Sequence, residues 1–209
     1  MLLATLLMIR ADNHGDEHGA HRAFQAVIAL GGRTTAERIE RLTIDAVYHS
    51  AFGDVGLVPD ILTSLTTLIL GIRQPVVRAM HLRRACFVLL RFGTKERTRD
   101  LLGEALSLFE RLKLWPQAVV CVEHLGALAI LHAEYDEALK WVNSAKEIRT
   151  RSDDVLAKVV EYELRVTLAF ETSQPAVLVD DGVTRDAVEP FLRAPRSRRN
   201  YFALQAAAA

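Results

Sequence analysis

Apolar residues recur at helical spacing along most of the chain. In the segment 35–52, Ile39, Leu42 and Ala46 follow one another at intervals of three or four residues. Such a spacing predicts one buried face of an amphipathic helix. The same pattern recurs in six later segments, 59–70, 75–92, 94–114, 116–133, 136–149 and 153–171. Only short breaks separate the segments, so we expect consecutive helices to be antiparallel neighbours.

The predicted helices repeat with a period of 40 residues. Gly53 and Gly93 each end a helix (93 − 53 = 40), and Ala133 takes the same place in the next row. Written in rows of 40, four columns hold apolar or small residues. The columns are Leu42, Leu82 and Val122; Ala46, Cys86 and Gly126; Leu62, Leu102 and Val142; and Leu65, Ala105 and Ala145. Small residues in a column indicate that two helices cross closely there, and a fourth row loses the pattern after Phe170.

The clearest copy of the repeat is "LGALAILHAEYDEALKWVNSA". It resembles the tetratricopeptide repeat family, in which such residues occupy packing positions. The matching residues are Leu125, Gly126, Tyr135, Ala138 and Ala145. The resemblance implies an all-α fold, a right-handed α-solenoid of about four antiparallel helix pairs. The period of 40 is longer than the family's usual 34, and HEAT-like or armadillo-like repeats remain an alternative.

The chain divides by pattern into two regions. Residues 1–172 read as the helical repeat domain, and residues 173–209 read as an irregular C-terminal segment or as a truncated continuation of the repeats. The opening "LLATLLMIRADN" reads as the tail of a first helix, so we expect the chain to begin inside a repeat. A chain of this kind is expected to be a piece of a longer protein.

Composition narrows the class of protein. Half of the residues are apolar, and 26 basic residues balance 26 acidic ones. A net charge of zero gives no electrostatic reason to expect nucleic acid as a partner. Two cysteines make no disulfide framework and suit a reducing compartment. The apolar run at the start is too short to span a membrane, so we predict a soluble cytoplasmic protein without a membrane partner.

Basic residues cluster on one predicted first helix. Arg83, Arg84 and Arg91 lie there with His81. First helices line the concave groove of tetratricopeptide arrays, so the resemblance implies a basic groove that binds a carboxylate or a phosphate. On the next first helix, Glu123 and His124 are further candidates for partner binding. The alternative is a solvated face whose arginines pair with acidic neighbours such as Glu123 or Glu96.

Three histidines near the start form a weaker candidate site. His14, His18 and His21 have the i, i+4, i+7 spacing that would place them on one helix face and allow zinc or nickel binding. Gly15 and Gly19 weaken a helix here, and the repeat register predicts a turn at Gly15. We therefore predict no metal and no other cofactor, and keep the histidine site as an alternative.

No catalytic motif occurs in the sequence. It lacks a phosphate-binding glycine-rich loop, a G-x-S-x-G elbow and an H-E-x-x-H pair. The predicted function is non-enzymatic: a protein–protein interaction module whose groove binds a peptide or a partner helix, with a second copy of the chain as a further candidate partner. The alternative is a sensory, regulatory or dimerisation module of a longer bacterial signalling protein, such as a diguanylate cyclase or a transcriptional regulator.

Overall fold

The computed structural model describes residues 16–152 and 155–173. These residues form eight α-helices and one 3-10 turn, Val55–Leu57, and they contain no strand. The helices are α1 (Glu17–Leu30), α2 (Thr35–Ala51), α3 (Val58–Leu70), α4 (Pro75–Phe92), α5 (Lys95–Arg111), α6 (Trp115–Leu131), α7 (Tyr135–Ser152) and α8 (Val155–Thr172). None of the eight is long and apolar enough to cross a membrane. The predicted all-α class is confirmed, whereas the predictions for residues 1–15 and 174–209 lie outside the described residues.

The helix boundaries keep the 40-residue period. The first helices of the pairs, α2, α4, α6 and α8, each begin 40 residues after the one before (75 − 35 = 40). Their first residues are Thr35, Pro75, Trp115 and Val155. The second helical segments keep the same spacing. They begin at Val55 (with the 3-10 turn that leads into α3), Lys95 and Tyr135. Every described helix from α2 to α8 lies within three residues of its predicted bounds.

Local chemistry explains where the helices start. Proline occupies the first turn of α3, α4 and α6, where its missing N–H costs nothing. Before α2, the backbone N–H of Glu37 donates to the Thr34 hydroxyl, and the Thr34 N–H donates to the Glu37 carboxylate. This capping box satisfies the free amides of the helix end. Hydrogen bonds from the backbone N–H groups of Thr34 and Arg33 hold the pKa of Glu37 below its ordinary value.

The turns differ from the glycine turns that the sequence predicts. Gly93 caps α4 with a φ of −78°, and the left-handed conformation occurs instead at Lys113 and Ala133, each with a φ of 55°. At Gly53 the reason for glycine is space, because a Cβ there would lie 2.6 Å from Nδ1 of His49. Glycine at position 53 therefore allows a close approach rather than a special backbone angle.

The described helices belong to two compact units. Unit 1 is Met1–Thr94 and unit 2 is Lys95–Ala209. In unit 1, α2 packs against α1, α3 and the next first helix, α4. Its buried core includes Ile39, Ile44, Leu65 and Leu82. Phe24 of α1 stacks on Tyr48 of α2 with ring centroids 4.1 Å apart, which fastens the first described helix to the second.

In unit 2, α6 packs against α5, α7 and the next first helix, α8, and α7 also packs against α8. Leu102, Phe109, Val122 and Leu125 are among its buried residues. Two helices approach closely at Gly126, where a Cβ would come within 2.8 Å of a methyl carbon of Leu164 on α8. A small residue is required here because the two first helices approach closely.

The repeat columns are core positions. All twelve residues of the four columns are buried except Leu42, which is half-buried. The small column Ala46, Cys86 and Gly126 is buried in all three rows, as close helix crossings require. Both cysteines of the chain, Cys86 and Cys121, are buried thiols, and no disulfide bond joins them. The interpretation of the columns as packing positions is confirmed.

Candidate interaction surface

The predicted partner-binding residues fall on two helices. His81, Arg83, Arg84 and Arg91 lie on α4 of unit 1, and Glu123 and His124 lie on α6 of unit 2. The sequence of α4 contains four arginines and no aspartate or glutamate. We use the name α4 surface for His81, Arg83, Arg84 and Arg91 of α4 together with Glu40 of α2.

Arg84 is held by a carboxylate of the preceding first helix. Its Nη1 donates to Oε1 of Glu40 at 2.6 Å. The Arg84 side chain remains 49% exposed and the Glu40 side chain 20% exposed. The two residues are 44 apart in sequence, one repeat plus one helical turn. Glu40 was not among the residues predicted from the sequence, although its position one repeat and one helical turn before Arg84 could have identified it.

His81 lies one turn before Arg84 on the inner side of α4. The residue is only 8% exposed, and its buried Nδ1 has no hydrogen-bond partner in the part of the chain that the structure describes. Burial lowers the pKa of His81, the positive charge of Arg84 lowers it further, and the Glu40 carboxylate opposes both. The imidazole is therefore neutral at neutral pH and leaves the positive charge of the surface to the arginines.

The other two arginines of the α4 surface differ in exposure. Arg91 is exposed near the end of α4, and its guanidinium carbon lies 5.3 Å from the centre of the Phe92 ring. Arg83 is partly exposed, while its buried Nε has no hydrogen-bond partner among the described residues. Arg84 and Arg91 thus present most of the accessible positive charge among the predicted residues.

Glu123 and His124 have a different environment. They are only 7% and 9% exposed. The Nδ1 of His124 donates to the backbone carbonyl of Val120 at 2.5 Å, since a carbonyl oxygen can only accept. Both residues keep their predicted place on a first helix, but their side chains are buried rather than open to a partner.

The histidine alternative is only partly within the described residues, because His14 lies outside them. His18 and His21 are on α1, and the Nδ1 of His21 lies 2.9 Å from the hydroxyl of Tyr48. Asp16, between these histidines and His14, caps α1 by accepting the N–H of Gly19 at 2.8 Å. Within residues 16–152 and 155–173, no three histidine, cysteine, aspartate or glutamate side chains converge as a metal site.

Unit 2 contains a polar cleft that the sequence analysis did not identify. Glu134, just before α7, accepts hydrogen bonds from Lys95 and Arg99 of α5, the latter at 2.6 Å. The hydrogen bond from Lys95 is the main reason that the pKa of Glu134 is lowered. The adjoining open cleft has a volume of about 530 Å³ and is lined by Arg99, Glu134, Tyr135, Asp136, Glu137 and Lys140. Since Glu134 already neutralises part of the basic charge, the cleft has mixed charge and does not select one sign of ligand.

Comparison with known proteins gives no family assignment: no family model, no curated protein and no solved structure matches this chain.

Proposed function

We propose that this chain is a non-catalytic protein-interaction module built from stacked helix pairs. Its helices would form a right-handed solenoid of about four pairs, as in the tetratricopeptide repeats that the sequence resembles. The constant 40-residue spacing of the first helices supports this arrangement. The packing of α2 on α4 in unit 1, and of α6 on α8 in unit 2, also supports it, because successive first helices are neighbours in such arrays.

The α4 surface is the proposed binding site within unit 1. The observation that carries this assignment is the Arg84–Glu40 pair, in which the guanidinium is fixed at 2.6 Å while half of the arginine side chain stays exposed. A guanidinium has five N–H donors, so one bond to Glu40 leaves donors for a second carboxylate. Fixing the side chain before binding lowers the entropy that binding costs.

The charge of α4 selects the class of partner. The helix contains four arginines and no acidic residue of its own, and Glu40 of α2 is the acidic partner of Arg84. An acidic peptide or the acidic face of a partner helix complements this charge, whereas a basic peptide is repelled. Arginine forks bind carboxylates with two parallel hydrogen bonds, which gives direction to the contact.

Selection from a phage-displayed library of random 12-residue peptides tests this function. We expect the peptides bound by the wild-type chain to be enriched in aspartate and glutamate. For the selected peptides, Arg84→Glu combined with Arg91→Glu should raise the Kd by about tenfold or more, since each lost tenfold corresponds to about 1.4 kcal/mol. Fluorescence anisotropy with labelled synthetic peptides measures the Kd.

The matched control reverses two exposed arginines elsewhere. Arg111→Glu combined with Arg151→Glu changes the net charge by the same amount on α5 and α7 of unit 2. We expect this variant to bind the selected peptides with nearly the wild-type Kd. Equal losses in the two variants, or selected peptides without acidic residues, would contradict binding at the α4 surface.

A further inference from the structure

Three exposed residues of α4 follow one another at intervals of seven. Val77 is 39% exposed, the Arg84 side chain is 49% exposed, and Arg91 is exposed near the end of the helix. Seven residues make nearly two full turns of an α-helix, so these three side chains lie within about 40° of one another around its axis. Met80, which is partly exposed, lies one turn after Val77 on the same side. We use the name heptad stripe for Val77, Met80, Arg84 and Arg91.

The heptad stripe has an apolar half and a basic half. Val77 and Met80 form the half nearer the start of α4, and the two arginines form the half nearer its end. Because Arg84 is bound to Glu40, the position of its guanidinium is set before a partner arrives. A partner that covers the whole stripe must therefore present an apolar side chain at one end and carboxylates toward the other.

The spacing of the two arginines distinguishes a helical partner from an extended one. Seven residues of α4 place the Cα atoms of Arg84 and Arg91 about 10.5 Å apart along the helix axis. In an extended peptide the side chains of one face recur every second residue, at separations of about 6.7 or 13 Å. Two residues seven apart on an α-helix have the matching separation of about 10.5 Å. A helix therefore presents two acidic side chains in register with both arginines, and an extended peptide does not.

Electrostatics also favour one orientation of such a helix. Arg91 lies in the last turn of α4, so an antiparallel partner helix begins beside it. A negative side chain in the first turn of a helix is stabilised by the helix dipole. Resting on the binding function proposed above, we propose that the heptad stripe receives an antiparallel helix of a partner protein. This helix carries an acidic residue opposite Arg91, a second one seven residues later opposite Arg84, and an apolar residue seven further on opposite Val77.

A second copy of this chain is a poorer match than a different protein. None of the eight described helices carries two acidic residues seven positions apart. In α2, for example, the acidic residues are Glu37, Glu40 and Asp45, which are separated by three, five and eight positions. The described helices of another copy therefore cannot place carboxylates opposite both arginines at once, and charge complementarity points to a helix of another protein.

Three synthetic peptides of about 21 residues, or six helical turns, test the proposal. Each contains two glutamates and one leucine among alanines and glutamines, and a hydrocarbon staple on the opposite face keeps it helical. The matched peptide has the order Glu, Glu, Leu at intervals of seven. The second has its first glutamate moved to five residues before the second one, and the third has the reversed order Leu, Glu, Glu. We expect fluorescence anisotropy to give a Kd for the matched peptide about tenfold below those of the other two.

A charge swap locates the first acidic residue of the partner. Arg91→Glu should weaken binding of the matched peptide, and replacing the first glutamate of that peptide with arginine should restore it. Rescue by replacing the second glutamate instead, or no rescue by either change, would contradict the proposed orientation and register.

Charge reversals in the chain separate this inference from the binding function on which it rests. With Arg84→Glu combined with Arg91→Glu, the advantage of the matched peptide should disappear, and with Arg111→Glu combined with Arg151→Glu it should remain. Equal Kd values for the three peptides, or a lower Kd for the reversed one, overturn the antiparallel helix. If library-selected acidic peptides still depend on Arg84 and Arg91 in that case, the binding function stands without it. If no acidic peptide depends on these two arginines, both proposals fail.

Discussion

At the scale of single residues, the α4 surface combines an exposed charged side chain, Arg84, with a buried neutral side chain, His81. Arg84 is accessible and paired with Glu40, whereas His81 one turn away is buried, and its Nδ1 has no hydrogen-bond partner among the described residues. A buried polar atom without a partner costs free energy, and protonating the ring would add a buried charge beside an arginine. His81 is therefore a residue at which acid should act on stability.

The sign of this effect follows from the lowered pKa of His81. In the unfolded chain the ring binds a proton as the pH falls through about 6.5, while in the folded chain it stays neutral to a lower pH. Unfolding then takes up a proton, so the free energy of unfolding decreases as the pH falls from about 7 toward the folded pKa. We expect His81→Leu to flatten this dependence, with a change in slope of up to about 1.4 kcal/mol per pH unit.

Urea denaturation between pH 7.5 and 5 measures the slope. The control is His132→Gln, which removes an exposed histidine at the end of α6. If wild type and His81→Leu lost stability in parallel on acidification, another group would be responsible. Asp45, whose pKa burial raises, has the opposite sign, because its folded form becomes less stable as the pH rises through that pKa.

At the scale of the helices, the sequence predicted the elements well and the side-chain contacts poorly. The predicted first and last residues of α4 agree with the structure, because Pro75 marks its start and the apolar spacing continues to Phe92. The T-x-x-E spacing of Thr34 and Glu37 is a sequence pattern typical of a capping box, although this cap was not among the predicted features. The Arg84–Glu40 pair was missed because a contact across 44 residues depends on knowing which helices are neighbours.

The crossing of α6 and α8 gives a prediction at this scale. Alanine is favoured over glycine within a helix by about 1 kcal/mol, so the surroundings decide the effect of the change. A Cβ at Gly103 on α5 meets nothing within 4 Å, but a Cβ at Gly126 would press on the buried Leu164. We expect Gly103→Ala to raise the free energy of unfolding by about 0.5–1 kcal/mol and Gly126→Ala to be about 2 kcal/mol less stable than Gly103→Ala.

Thermal and urea unfolding of the two variants measure this difference. In a double-mutant cycle with Leu164→Ala, the cost of Gly126→Ala should shrink, because the methyl groups that it presses on are gone. Equal stability of the Gly103 and Gly126 variants, or no coupling to Leu164, would mean that the helices do not cross as closely as described.

At the scale of the whole molecule, apolar repeat columns form the core of each compact unit, and buried charge is the exception. In unit 2, Glu161 of α8 has no exposed surface, and both of its oxygens are bound. Arg149 of α7 donates to one oxygen at 2.8 Å, and Arg165 of α8 donates to the other at 3.1 Å. The sequence around Glu161 reads as an ordinary mixed helix face, and knowing that two helices are neighbours does not show which of their side chains meet, so this triad was not predicted.

Breaking the Glu161 triad should lower the free energy of unfolding more than breaking a surface ion pair does. Removing the carboxylate takes away the charge that both guanidinium groups bind, and the Arg149 and Arg165 side chains are only 16% and 11% exposed. Breaking a buried ion pair in this way costs about 3–5 kcal/mol. We therefore expect Glu161→Ala to lower the free energy of unfolding by that amount.

Glu147→Ala removes the exposed partner of Arg151 and should cost no more than about 1 kcal/mol. Urea denaturation followed by circular dichroism compares the two, and a loss at Glu161 no larger than at Glu147 would show that the triad does not hold α7 to α8. If Glu161→Ala does not fold, Glu161→Gln takes its place in the comparison, because glutamine keeps the size of the side chain and one acceptor oxygen. We expect Glu161→Gln to fold and to be less stable than both the wild type and Glu147→Ala.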